Sequence, residues 1–141
     1  MAHSLLLTAG RLGMHVAVAA PVGYQPDAGV LATAREAGVQ FTITDDPAEA
    51  ADGAHAVYTD VWASMGQEAE AEERKRIFAP YQVNDALMAR AASDGIFLHC
   101  LPAKRGQEVT DSVMESAQSA IFDQAENRLH AQKALLLMLL K

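Results

Sequence analysis

"IFLHCLPAKRGQEVTD", residues 96–111, begins as an apolar run, breaks at Pro102, turns at Arg105-Gly106 and reaches a new helical stretch at Asp111. A short apolar run closed by a proline reads as a strand covered on both faces, because proline cannot donate to a ladder and water-facing strands alternate in polarity. The run also holds the only cysteine of the chain, Cys100, at the point where the strand should stop.

The same alternation of short apolar runs and longer helical stretches recurs on both sides. Strands are expected at His15–Ala20, Phe41–Thr44, Ala56–Trp62, Ile96–Leu101 and Ala120–Phe122. Helices are expected at Ala2–Arg11, Asp27–Ala37, Pro47–Ala51, Glu68–Phe78, Asp85–Ala92, Asp111–Ser116 and Asn127–Leu140. Gly38 suits a helix C-cap and Asn84 an N-cap. The pattern predicts an α/β fold, doubly wound and Rossmann-like, with a mostly parallel sheet flanked by helices in one domain over residues 1–141. The first expected element is a helix, so the sheet is expected to lack its first strand, which in such folds lies centrally beside the ligand crevice.

Hydrophobic residues make up 50% of the 141 residues and charged residues 21%, enough apolar material for a sizeable core. A net charge of -7 excludes a phosphate-backbone binder, which needs clustered Lys and Arg. One cysteine makes no internal disulfide, and no basic-then-apolar leader opens the sequence, so the cytoplasm is the expected compartment. "ALLLMLL", Ala134–Leu140, is much shorter than the roughly 20 apolar residues of a spanning helix and should pack against protein rather than enter a membrane.

Open α/β sheets bind ligands outside the carboxyl ends of their strands. Three stretches carry suitable chemistry there. In "DVWASMG", residues 60–66, Asp60 could hold an ammonium group, or simply cap a helix or sit in a solvated turn. In "HCLPAKRG", residues 99–106, Cys100 and His99 cannot form a catalytic dyad, because neighbouring strand residues point to opposite faces. A small buried hydrophobe is the plainer role for such a cysteine. In "DQAENRLHAQKALL", residues 123–136, Arg128 could reach the same crevice with its planar fork of donors, or pair with Glu126 at the surface. His3, His15, His55, His99 and His130 are scattered singly, so no metal is expected. "AGRLGMHV" places Gly10 and Gly13 between a helix and a strand, the reverse of the dinucleotide fingerprint, so NAD is not expected.

"MAHSLL", "DVWASMG", "HCLPAKRG", "EVTD" and "ENRLHAQKALL", in this order and along the whole chain, resemble the aspartate/ornithine carbamoyltransferase family in its C-terminal, amino-acid-binding half, and its ornithine branch above all. The resemblance implies that Asp60, Ser64 and Met65 hold ornithine, with Asp60 on the α-ammonium. It implies that Cys100, Leu101 and Arg128 face carbamoyl phosphate, Cys100 and Arg128 being the residues nearest the chemistry. The reaction implied is carbamoyl transfer to the side-chain amine of ornithine, giving citrulline and phosphate for arginine biosynthesis, without a cofactor. The family's carbamoyl-phosphate-binding half is absent, so the chain is expected to be an N-terminally truncated fragment, inactive alone, of what in the family is a trimer-based homo-oligomer. Lys104 replaces the His usual in the family's "HCLPAHRG", a change expected to touch the local polar network. A stand-alone amino-acid-binding or regulatory module, or a carbamoyltransferase for an ornithine analogue, are the alternatives.

Overall fold

The computed structural model describes residues 1–63, 66 and 68–140. Eleven regular elements alternate along it: α1 (Ala2–Arg11), β1 (Val16–Ala19), α2 (Ala28–Glu36), β2 (Phe41–Thr44), α3 (Pro47–Ala51), β3 (Ala56–Thr59), α4 (Ala71–Phe78), α5 (Asp85–Met88), β4 (Ile96–His99), α6 (Asp111–Met114) and α7 (Ile121–Leu139). The short helices are defined by their caps. Asp27 accepts the Gly29 N–H at 2.8 Å, Asp46 the Ala48 N–H at 2.8 Å ahead of Pro47, Asn84 the Leu87 N–H at 3.0 Å, and Thr110 the Val113 N–H at 3.4 Å. At the other end of α2, Gly38 takes a φ of 73°, the left-handed turn that ends a helix at little cost only in glycine.

All strand pairing among the described residues is parallel. β1 pairs with β2 from Val16↔Phe41 to Ala19↔Thr44, and β3 with β4 from Ala56↔Ile96 to Thr59↔His99. Parallel neighbours need crossover connections, and helices supply them here. Among the described residues the sheet is two separate two-stranded pairs rather than one continuous layer.

Each pair has its own core. Phe97, at the centre of β4, is fully buried among Val83, Met88, Val109, Val113, Met114 and Ile121. Leu6, Ala34 and Val39 form a second cluster beneath β1 and β2. Gly10 lets α1 approach this second core, since a Cβ there would overlap the Val39 side chain.

The strands end earlier than the apolar pattern suggests. β3 stops at Thr59 and β4 at His99. The strand expected at Ala120–Phe122 is replaced by one parallel bridge, Phe97↔Ser119, after which α7 starts at Ile121, ahead of the expected Asn127. Ile121 is buried as the first helical residue, and a short apolar run does not by itself distinguish a buried strand from a buried helix start. The charged stretch around residues 68–78 becomes a 3-10 turn, Glu68–Glu70, leading into α4.

None of the described helices is long and apolar enough to cross a membrane. The C-terminal part of α7 is nevertheless unusual: Leu136 is 57% exposed, Met138 75% and Leu139 72%. An apolar surface of this kind favours association over solvation. We expect the chain to bind a hydrophobic dye or self-associate on light scattering, and Leu136→Glu with Leu139→Glu to reduce both. A monodisperse monomer without dye binding would contradict this.

Candidate functional site

The register that ends at Thr59↔His99 makes Asp60 and Cys100 the next facing positions, at the carboxyl ends of adjacent parallel strands. The Cys100 thiol donates to Asp60 Oδ1 at 3.1 Å, and the Val61 N–H donates to the same oxygen at 2.8 Å. Asp60 is therefore neither a helix cap nor a fully solvated turn residue; it is half-buried and joins two strand ends. Tyr58, two residues earlier on the same face of β3, lies beside Cys100, and its hydroxyl accepts from Gln124 Nε2 at 3.4 Å. Burial, then the Cys100 contact, pushes the Tyr58 hydroxyl up to about 12. Burial also raises the Cys100 thiol above its ordinary value, aided by the adjacent Asp60 carboxylate. Cys100 is thus a protonated donor at neutral pH and not an activated nucleophile.

His99 points the other way, as strand alternation requires. Its Nδ1 accepts the Leu101 N–H at 2.8 Å, while Nε2 lies 3.3 Å from Glu108 Oε1. Both side chains are wholly buried. Burial pushes the Glu108 carboxyl up, but the adjacent His99 and the Lys104 N–H outweigh it and hold the group below the ordinary carboxylate value. Leu101 has a φ of 56° and is joined to Pro102 by a cis peptide bond. Lys104 enters this polar network through its backbone, donating to Glu108 Oε1 at 2.5 Å, and its side chain is exposed. The His-to-Lys departure from the family pattern at this position leaves the network's own contacts in place.

Arg128 lies on α7, one turn beyond Gln124 and on the same helix face. Gln124 Oε1 accepts the His99 N–H at 2.9 Å, which ties that face to the end of β4. Arg128 itself is exposed and makes no ion pair among the described residues; Glu126 instead faces His130 Nε2 at 3.3 Å. The expected ornithine-binding residues Ser64 and Met65 lie outside the described residues. Before them, Trp62 stacks on Phe78 with ring centroids 6.3 Å apart, Tyr24 meets Phe78 edge-on at 4.9 Å, and Arg74 Nη1 donates to the Trp62 carbonyl at 3.4 Å. These contacts tether the start of the 60s loop to α4.

The structure thus brings together Asp60, Cys100 and Leu101 and places Arg128 one helical turn beyond Gln124 on α7. Tyr58, His99, Glu108 and Gln124 are the members that sequence reasoning missed. Tyr58 was within reach of the period-two pattern, two positions before Asp60; Glu108 and Gln124 carried no local signal. Among the described residues no group of three or more His, Cys, Asp and Glu side chains is placed to hold a metal ion.

A parallel α/β fold with an acid, a thiol and an arginine-bearing helix at its strand ends defines a domain of the kind that binds small polar ligands in a sheet-end crevice. The chain belongs to the aspartate/ornithine carbamoyltransferase family: residues 1–139 match the family described as "Aspartate/ornithine carbamoyltransferase, Asp/Orn binding domain". It is 58% identical over 144 residues to the ornithine carbamoyltransferase of Anoxybacillus flavithermus, covering 99% of this chain and 46% of that protein. Among solved structures, ornithine carbamoyltransferase from Pyrococcus furiosus superposes with a TM-score of 0.87 at 55% identity, over 95% of this chain and 44% of that one. The anabolic ornithine carbamoyltransferase of Campylobacter jejuni gives a TM-score of 0.93 at 37% identity, over 99% and 47%. The chain spans about half the length of the curated relatives it matches.

The raised thiol makes a measurable difference. Alkylation of Cys100 by iodoacetamide in the folded chain should show a pH midpoint above the ordinary thiol value of about 8.5, and Asp60→Asn should lower that midpoint by removing the neighbouring negative charge. A wild-type midpoint at or below the ordinary value would refute the raised thiol.

Proposed function

We propose that this chain is the ornithine-binding half of an ornithine carbamoyltransferase. The observation that carries the reading is the contact between Cys100 and Asp60, 3.1 Å apart, which places a carboxylate suited to an α-ammonium next to the "HCLP" loop. Among the described residues the Asp60 contacts fall on Oδ1, and in this reading the carboxylate accepts from that ammonium. In this reading Asp60, Ser64 and Met65 hold the amino-acid end of ornithine, and Cys100, Leu101 and Arg128 face carbamoyl phosphate. The side-chain amine of ornithine attacks the carbamoyl carbon; the new C–N bond forms as the C–O bond to phosphate breaks, and the amine gives up a proton. Arg128 supplies donors to the charge that develops on the carbonyl oxygen, and the protein's further contribution is to hold the two reactants in line. Phosphate is gripped by the enzyme's other half, and the full-length enzyme is a trimer-based homo-oligomer. The setting is cytoplasmic arginine biosynthesis, and no cofactor takes part.

Two measurements test this. Calorimetric titration with L-ornithine asks what this half does alone, and a colorimetric citrulline assay with carbamoyl phosphate present should show no turnover by the isolated chain. Appreciable citrulline would refute the division of labour, and saturable ornithine binding without any response to a restored second half would favour a stand-alone binding module. In a chain restored to full length, Asp60→Asn keeps the shape and removes the charge. A hydrogen bond to a charged group is worth roughly 1.5 to 3 kcal/mol, so kcat/KM for ornithine should fall roughly tenfold to a hundredfold, with carbamoyl phosphate binding little changed. Near-normal kcat/KM in a folded variant would overturn the role of Asp60.

A further inference from the structure

Three features outside the roles assigned above invite explanation: the exposed end of α7, the aromatic contacts around Phe78, and the buried pair His99 and Glu108. The third reaches furthest, because both members are wholly enclosed and ionisable, and His99 directly precedes Cys100 and Leu101.

We propose that His99 and Glu108 are positioning residues that together hold the Leu101 backbone in its left-handed conformation. A leucine with a φ of 56° is disfavoured by its own Cβ, so it persists only where surrounding contacts over-determine it. The contact that does so is the Leu101 N–H donating to His99 Nδ1 at 2.8 Å. An imidazole nitrogen that accepts carries no proton, so the ring proton of His99 resides on Nε2. Nε2 faces Glu108 Oε1 at 3.3 Å, and a carboxylate there stabilises that tautomer and no other neutral one. Glu108 is itself anchored, because the same Oε1 accepts the Lys104 N–H at 2.5 Å. The two ends of the loop, at Leu101 and at Lys104, therefore converge on one buried pair. Gln124 completes the arrangement by accepting the His99 backbone N–H, so the imidazole sits on a strand end that α7 also holds. What the loop presents to carbamoyl phosphate rests on the reading under "Proposed function"; the orientation of Leu101 by His99 does not.

The ring tautomer can be read without any substitution. Nitrogen-15 NMR of histidine-labelled wild-type chain at neutral pH should show His99 with a protonated Nε2 and a bare Nδ1. A ring protonated on Nδ1 would overturn the proposal. Two variants then separate positioning from mere filling of space. His99→Asn can place its Oδ1 where Nδ1 was, keeping the acceptor for Leu101 and losing the contact to Glu108; His99→Gln does the reverse. Amide hydrogen exchange at Leu101 should stay near the wild-type rate in His99→Asn and rise about tenfold in His99→Gln, the weight of about one ordinary hydrogen bond. Equal exchange in the two variants, or faster exchange in His99→Asn, would refute the role of Nδ1. Ornithine titration of the same proteins keeps the two readings apart: it bears only on the ornithine reading, saturable binding by this chain alone favouring a stand-alone module and none favouring the fragment, while the tautomer and exchange results decide this one.

Discussion

The pairing of β3 with β4 is the constraint on which the crevice depends. Four residues of parallel register, from Ala56↔Ile96 to Thr59↔His99, bring two chain segments side by side that are 40 residues apart in sequence at Asp60 and Cys100. Phe97 anchors that register, since a slip of one residue would send its buried ring to the opposite face and the Cys100 side chain away from Asp60. Asp60 and Cys100 lie just beyond the last paired residues, where backbone groups are released from the ladder and side chains of both strands face one space.

The crevice is built from polar groups buried in pairs rather than from an apolar pocket. On one face of β4 the Cys100 thiol, the Asp60 carboxylate and the Tyr58 hydroxyl hold one another, and burial keeps the thiol and the phenol protonated. On the other face His99 meets Glu108 with no solvent access. A buried carboxylate is costly unless partnered; the Lys104 N–H and the imidazole both meet Glu108 Oε1, and among the described residues Oε2 finds no hydrogen-bond partner. The left-handed Leu101 costs about 1–2 kcal/mol, an amount comparable to the hydrogen bond from its N–H to His99, worth about 0.5–1.5 kcal/mol. Local strain and its support are thus of similar size, and the loop's shape depends on the buried pair behind it.

The rest of the domain is unevenly covered. The two cores lie under separate strand pairs, and α7 contributes Ile121 to one of them while its C-terminal leucines stay exposed.

Much of this was legible in the residues themselves. Alternating apolar runs and capped helical stretches determined the α/β class and the four observed strands, because burial on both faces of a parallel sheet requires continuous apolar runs. Period-two alternation determined that Cys100 and His99 face apart, and the placement of Asp60, Cys100 and Leu101 at strand ends marked the crevice. The helical start at Ile121 was not legible, since a short apolar run serves a buried strand or a buried helix equally well. Nor was the network of Tyr58, Glu108 and Gln124: the contacts of Glu108 with His99 and of Gln124 with the end of β4 join residues distant along the chain, and only the packing of α7 and of the loop after Pro102 against β4 brings them within hydrogen-bonding distance. Local sequence sets which side of a strand a residue occupies; what it meets there is decided by the elements that fold over that side.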